Sequence, residues 1–272
     1  MSDTSYVDLL ELARRVATEA ADLVRKERRG GVEVADTKSS PIDIVTEVDK
    51  ASERLIFDRL LSVRPDDGFL GEEGGSSTST SGVTWIVDPI DGTVNFLYGI
   101  PQYAVSIAAS IDDTVVAGVV VNVETEECYT ATLGGGAACN GDPVAVREAV
   151  PLAESLVLTG FHYVTEVRAK QASAVERLIP QVRDIRRLGS AALDLCAIGA
   201  GRADAYVEEG LNPWDRAAGG LVATEAGATL KICTGVGGQV AVVCAPKRGF
   251  AAFVELATSC GFLQVPTDPL SG

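Results

Sequence analysis

The chain has 272 residues, is 46% hydrophobic and carries a formal net charge of -15. That length and apolar content suit one domain with a large core, spanning 1–272. The charge argues against nucleic acid or an anionic membrane as a partner, and no apolar run reaches the roughly 18 residues of a membrane span. The start, Met1-Ser2-Asp3-Thr4-Ser5, lacks the basic residues and apolar core of a signal peptide. Six cysteines without a Cys-x-x-Cys pair point to reduced thiols and a cytoplasmic protein, not to disulfides or zinc. The single histidine, His162, rules out mechanisms that need two.

In chain order, residues 5–28 read as an amphipathic helix, with Val7, Leu10, Ala13, Val16, Ala17, Ala20 and Val24 at helical spacing. Gly30-Gly31 ends it. A polar segment, Thr37 to Pro41, reads as a loop. Thr46 is a suitable N-cap for a second helix, which puts Asp49 in its first turn. Val48, Ala51, Leu55 and Leu60 would form its buried side. Glu72 follows a short apolar segment, and a Ser/Thr/Gly loop runs to Gly82. Trp85-Ile86-Val87 reads as a buried strand that stops at Pro89. Tyr103 to Ser110 and Val115 to Val123 read as a hairpin turning at Asp112-Asp113, extended by Glu127 to Thr132. The second half alternates: strand 155–159, helix 167–178, strand 184–187, helix 190–198, strand 203–208. Asn212-Pro213 then starts a helix to Glu225. Strands 229–232 and 240–245 and a helix over 248–258 complete the pattern, which predicts a layered α/β protein.

The chemistry gathers around Asp88-Pro89-Ile90-Asp91-Gly92-Thr93. Two carboxylates so close repel unless a positive charge sits between them. A hard divalent cation with oxygen ligands supplies it and reverses the local field toward a phosphate. Each acidic residue also has an ordinary explanation: a turn for Asp88 and Asp91, a capping box for Asp49, a solvated face for Glu72, helix-dipole complementarity for Asp215. Lys38 by itself reads first as a solvated loop lysine. Jointly, Asp49, Glu72, Asp88, Asp91 and Asp215 lie at element ends, where α/β folds build active sites. The Ile90 carbonyl adds a hard ligand, Thr93 a hydroxyl for a water, and the Gly92 and Thr93 amides a cradle for phosphate. That set suits metal-assisted hydrolysis of a phosphate ester. Asp88 to Thr93 has one residue too many between its aspartates for the Asp-x-Asp-Gly-Thr of haloacid-dehalogenase-type phosphatases. Cys196 to Arg202 matches the Cys-x5-Arg of cysteine phosphatases, but the cysteine lies in an apolar helical run. The Gly-rich segments lack the Lys-Ser/Thr of a P-loop.

Separated blocks then carry a resemblance: Lys38-Ser39-Ser40-Pro41 with Asp43 and Thr46-x-x-Asp49; Gly71-Glu72-Glu73; Trp85 to Phe96; Gly189-Ser190-Ala191-Ala192; Asp204-Ala205-Tyr206 with Glu208; and Trp214-Asp215 with Ala218-Gly219. In order and spacing they resemble the inositol monophosphatase family, magnesium-dependent and lithium-sensitive phosphatases related in fold to fructose-1,6-bisphosphatase. The resemblance implies an α-β-α-β-α sandwich, usually dimeric. It implies two or three Mg²⁺ ions held by Glu72, Asp88, the Ile90 carbonyl, Asp91 and Asp215, with Li⁺ as an inhibitor. It implies that Asp49 and Thr93, helped by Glu72, orient the attacking water, and that Gly92 and Thr93 receive the phosphate. Gly189, Ser190, Ala191 and Glu208 would form the substrate wall, Asp215 would also bond ring hydroxyls, and Lys38 would sit on a mobile loop. The implied substrate is a phosphorylated polyol, inositol 1-phosphate; histidinol phosphate, fructose 1,6-bisphosphate and adenosine 3′,5′-bisphosphate are alternatives in the same family. One bacterial member works with the transcription machinery, so a non-enzymatic partner role is a further alternative. Val94 and Ser190 stand where many members carry threonine, and Gly160-Phe161-His162-Tyr163, near the expected substrate mouth, follows no general family pattern.

Overall fold

The computed structural model describes residues 5–30, 34–37 and 44–264; Lys38 and Asp43 lie outside the described residues. The first half runs α1 (Tyr6–Gly30), β1 (Val34–Thr37), β2 (Ile44–Thr46), α2 (Glu47–Val63), β3 (Gly68–Gly71), β4 (Ser76–Ser77), β5 (Val83–Asp91), α3 (Thr93–Tyr98), β6 (Ala104–Ile111), β7 (Thr114–Asn122), β8 (Cys128–Thr132), β9 (Gly136–Cys139) and β10 (Asp142–Pro143). The second half runs β11 (Leu156–Thr159), α4 (Thr165–Leu178), β12 (Asp184–Arg186), α5 (Ala191–Gly199), β13 (Ala205–Glu209), α6 (Pro213–Glu225), β14 (Ala228–Thr234), β15 (Val240–Pro246) and α7 (Phe250–Cys260).

Strands β3 to β10 form an eight-stranded sheet in the order β10-β9-β8-β7-β6-β5-β3-β4, and β11 to β15 a five-stranded sheet in the order β12-β11-β13-β15-β14. The larger sheet is antiparallel except where β3 runs parallel to β5. On one face of it pack α1 and α2, through Leu9, Leu12, Val16, Val24, Ile56 and Leu60 against Trp85, Val105, Ile107 and Val119. Each such side chain contributes about 1.5–3 kcal/mol when fully buried. On the other face lie α5 and α6, whose Ala192, Leu193, Ala218 and Leu221 meet Ala104, Ala108 and Val120. The opposite sides of the same two helices, Leu195, Ile198 and Ala223, cover Tyr206, Val242 and Cys244 of the smaller sheet. Helices α4 and α7 close its outer face through Ala174, Leu178, Phe253 and Leu256. The layers are therefore α-β-α-β-α. Helices α5 and α6 are apolar on two sides because they are sandwiched between sheets.

Three local expectations are corrected. On α1, Val7 is 59% exposed and the buried stripe begins at Leu9 and Leu12; residues two apart on a helix point about 200° apart, so seating Leu9 turns Val7 to solvent. On α2 the buried side is Asp49, Ser52, Glu53, Ile56 and Leu60, while Ala51 is exposed. The stripe is rotated because its polar members find partners described below. Finally, β5 does not stop at Pro89. It runs to Asp91, with Asp88 opposite Ser106 and Asp91 opposite Ala104, so Pro89 and Ile90 together oppose Val105 alone. This is a β-bulge, a position where a strand tolerates proline. Among the described residues no helix is long and apolar enough to cross a membrane, and all six cysteines are free thiols.

Candidate active site

A cavity of about 390 Å³ opens where β5, α3, α5, β13 and α6 meet. Glu72, Asp88, Ile90, Asp91, Gly92, Thr93, Gly189, Ala191, Glu208 and Asp215 line it, so most of the residues singled out from sequence come together. Asp49 and Ser190 lie just behind its surface, both fully buried.

The bulge and the turn after it shape the centre. Asp88 Oδ1 accepts the Ile90 N–H at 3.0 Å. Gly92 takes φ 99° and caps α3; a Cβ there would lie 3.0 Å from the Gln102 carbonyl oxygen and 3.1 Å from that of Gly189, so both conformation and space require glycine. Asn95 staples this turn to its surroundings by donating to the Gln102 and Leu188 carbonyls, each at 2.7 Å. Asp91 Oδ2 accepts from Ser190 Oγ at 2.6 Å and from the Ala192 N–H at 2.7 Å, docking the carboxylate on the N-terminus of α5. The Ser190 hydroxyl is thus spent on Asp91 and on capping Leu193 instead of facing the cavity. Asp215 enters in the first turn of α6, where its Oδ2 accepts the Asn212 N–H at 2.6 Å.

Asp49 is both a capping-box residue and a site residue. Its Oδ2 accepts from the backbone and the hydroxyl of Thr46, while Oδ1 faces the Thr93 hydroxyl at 3.0 Å. The Thr93 oxygen is also 3.1 Å from the Ile90 carbonyl. A hydroxyl has one proton to give, and the carboxylate is the stronger acceptor, which frees the carbonyl.

The electrostatics are those of crowded buried acids. Burial pushes Asp88 well above its ordinary value, and Glu72, Asp91 and Asp215 push it further. Asp215 rises well above its ordinary value from burial, then from Asp91 and Glu72. Burial lifts Asp91 to about 6 against the pull of Ser190, the α5 amides and Arg187. Burial also lifts Glu208 to about 7, opposed by the Tyr206 hydroxyl that donates to its Oε2 at 2.9 Å and by Arg187. Among the described residues that line the cavity, Arg187 is the one Lys or Arg. A crowded acidic cluster of this kind is stabilised by added cations.

A model of the inositol monophosphatase family matches residues 6–259. The chain belongs to the inositol monophosphatase family. Membership makes it a phosphoric monoester hydrolase. Among its relatives is the inositol-1-monophosphatase SuhB of Mycobacterium tuberculosis (strain ATCC 25618 / H37Rv), 44% identical over 285 residues that cover 97% of this chain and 98% of that protein. The Nus factor SuhB of Escherichia coli (strain K12) is 38% identical over 233 residues, covering 84% of this chain and 86% of the relative. A solved structure of Mycobacterium tuberculosis SuhB superposes with a TM-score of 0.83 at 41% identity, over 96% of this chain and all of that one. A Thermotoga maritima IMPase also gives 0.83, at 31% identity, over 93% and 98%.

The structure adds residues that the sequence pattern did not single out. Glu53, 6% exposed on α2, accepts the Glu73 N–H through Oε2 and the Gly75 N–H through Oε1, each at 2.8 Å. It thereby fixes the loop that carries Glu72. A Cβ at Gly71 would lie 2.3 Å from Glu53 Oε2, so that glycine leaves room for the clamp. Ser52, one position earlier, donates to the Pro89 carbonyl at 3.2 Å. Glu209 Oε1 accepts from Gly237 and Gln239 and so holds the 235–239 loop at the rim. Behind the wall lies Asp194, 1% exposed, whose two carboxylate oxygens have no hydrogen-bond partner among the described residues. The available signal was helical spacing: 49, 53, 56 and 60 mark one face of α2, with its two acids at the end nearer the cavity.

Proposed function

We propose that the protein hydrolyses inositol 1-phosphate to inositol and phosphate, with Mg²⁺ bound at the carboxylate cluster. The observation that carries this reading is one cavity with Glu72, Asp88, Asp91 and Asp215 on one part of its lining and Glu208 on another. The donor set fits a hard divalent cation: carboxylate and carbonyl oxygens, buried and mutually repelling, with no sulfur. Among the described residues no three acidic, histidine or cysteine side chains lie close enough together to hold a metal ion as they stand, so the lining would have to draw in around the ions. Glu72, Asp88, the Ile90 carbonyl, Asp91 and Asp215 would hold the ions. When bound, they supply Lewis-acid charge neutralisation for the phosphoryl group and the nucleophile.

The chain's own residues do the rest. Asp49 orients Thr93 from behind and accepts its hydrogen bond, so the Thr93 oxygen offers a lone pair to the hydrogen of an attacking water. The Gly92 and Thr93 N–H groups, at the start of α3, would donate to phosphate oxygens. Ala191, Gly189 and Glu208 hold the alcohol on the far side, with Glu208 accepting a ring hydroxyl. In-line attack by this water needs no phosphoenzyme. A second phosphate, as in fructose 1,6-bisphosphate or adenosine 3′,5′-bisphosphate, would meet an acidic lining with Arg187 as its one Lys or Arg among the described residues. The same reading carries the remaining expectations from sequence, a cytoplasmic homodimer inhibited by Li⁺.

The test is phosphate release from inositol 1-phosphate, histidinol phosphate and the two bisphosphates, each with Mg²⁺ and with chelator. Mg²⁺-dependent release mainly from inositol 1-phosphate supports the proposal; release mainly from another ester overturns the substrate. The relatives bearing the name Nus factor favour a second reading, a partner role in transcription. An Asp88→Asn protein that keeps its cellular effect without turnover would support that role.

A further inference from the structure

The segment Gly160 to Tyr163 follows β11, and its Phe161, His162 and Tyr163 line the cavity. Two glycines dock it onto the end of β13. A Cβ at Gly160 would lie 2.0 Å from Glu208 Cδ, and a Cβ at Gly210 would lie 2.3 Å from His162 Cδ2. Glu208 and the imidazole therefore occupy one continuous stretch of wall. Two further bonds fix the histidine. Its N–H donates to Oε1 of the buried Gln171 on α4 at 2.9 Å, and its Nδ1 accepts the Val164 N–H at 3.0 Å. With Nδ1 accepting, the ring proton resides on Nε2. Among the described residues no hydrogen bond occupies that Nε2–H. On the lining of the same cavity, Glu208 uses Oε2 for the Tyr206 hydroxyl, leaving Oε1.

We propose that His162 is a specificity-determining residue: its Nε2–H donates to one hydroxyl of the leaving alcohol while Glu208 Oε1 accepts from a neighbouring one. The inference rests on the polyol-phosphate reading. A donor set beside an acceptor matches a pair of hydroxyls, each of which can donate and accept. An ammonium group has no lone pair for Nε2–H. A second anion would meet Glu208 and Glu209 on the same wall. The imidazole's position is imposed by packing, so it is organised before substrate arrives.

The experiment compares inositol 1-phosphate with cyclohexyl phosphate, the same ring without hydroxyls, in the wild-type protein and in H162L and H162Q. The readout is the ratio of kcat/KM for the two substrates. H162L is expected to lower the ratio about tenfold, through KM, as befits one neutral hydrogen bond. H162Q, whose amide nitrogen reaches the position of Nε2, is expected to restore it to within about threefold. A wild-type ratio near one would sink the polyol reading and the inference with it. A high wild-type ratio that H162L leaves intact would overturn the inference alone. Equal losses in H162L and H162Q, with a lowered Tm in both, would assign the effect to packing on Gly210 and also overturn it.

Discussion

Glu53 offers a direct test of how the Glu72 loop is held. Its carboxylate accepts two backbone N–H groups at 2.8 Å, on either side of Gly74, from a site with almost no solvent access. Hydrogen bonds to a charged acceptor contribute about 1.5–3 kcal/mol each. In Glu53→Gln one oxygen remains, so one amide loses its partner and faces an NH₂ donor. The expected loss is about 2–3 kcal/mol in the fixed loop conformation, or roughly 30- to 150-fold in its population. If Glu72 ligates the ion from that loop, divalent-cation affinity falls by about the same factor, which overlaps the roughly 10- to 100-fold typical when groups supporting a metal ligand are removed. Mn²⁺ binding followed by electron paramagnetic resonance measures this directly, and a Mg²⁺ activation curve gives the functional counterpart. Activity is expected to return toward wild type at high Mg²⁺. Gly71→Ala reaches the same clamp from the other side, since its Cβ would lie 2.3 Å from Glu53 Oε2. A folded Glu53→Gln protein with wild-type Mn²⁺ affinity would refute the reasoning.

Asp88→Asn removes one charge from a set in which Glu72, Asp91 and Asp215 all disfavour ionisation of Asp88. The metal-free variant should melt higher than wild type while Mg²⁺-dependent turnover falls at least about 100-fold; a lower Tm without metal would contradict the electrostatic account. Asp91 near 6 and Glu208 near 7 are both raised carboxylates. The folded state then keeps protons that the unfolded chain releases at ordinary carboxylate values. Their contribution to stability is complete at low pH and is lost as pH climbs through 6 to 7, so the metal-free Tm should fall between about pH 5 and 7.5, with excess Mg²⁺ opposing the fall. A Tm that rises over that interval would reverse the sign. Asp194→Asn should raise Tm at neutral pH, since it relieves a buried carboxylate without hydrogen-bond partners among the described residues. Cys196→Ala, at a fully buried thiol on α5, should cost about 1–2 kcal/mol in denaturant melts and keep turnover; a folded but inactive variant would point to cysteine chemistry.

The layered architecture and the carboxylate set were legible because each signal is local. Asn212-Pro213 and Thr46-x-x-Asp49 mark helix starts whatever lies elsewhere, and Asp88 to Thr93 is a single stretch. What escaped depends on contacts between distant segments. Glu53 reads as a solvated helix residue until the amides of residues 73 and 75 are brought to it. Ser190 reads as part of the substrate wall until Asp91, 99 residues earlier, takes its hydroxyl. Arg187 and Asp194 carry no motif, and only the convergence of α5 with β5 and β13 makes them neighbours of Asp91 and Glu208. The rotated stripe of α2 has the same origin: an apolar count assigns faces by hydrophobicity, whereas here two acids and a serine are buried because each has bonds to make.

The bulge in β5 acts as a phase shifter. Along a regular strand, residues three apart point to opposite faces. Counting Pro89 and Ile90 as one step against Val105 resets the alternation, and Ser106 and Ala104, two apart, carry Asp88 and Asp91 to the same side. The spacing that disqualified this stretch as an Asp-x-Asp motif is thus undone by the backbone. Two aspartates with one residue between them on a straight strand and two aspartates with two residues between them on a bulged one deliver the same pair of carboxylates. A single-residue deletion at position 89 or 90 would remove the offset and with it the bulge that carries Ile90 to the cavity lining.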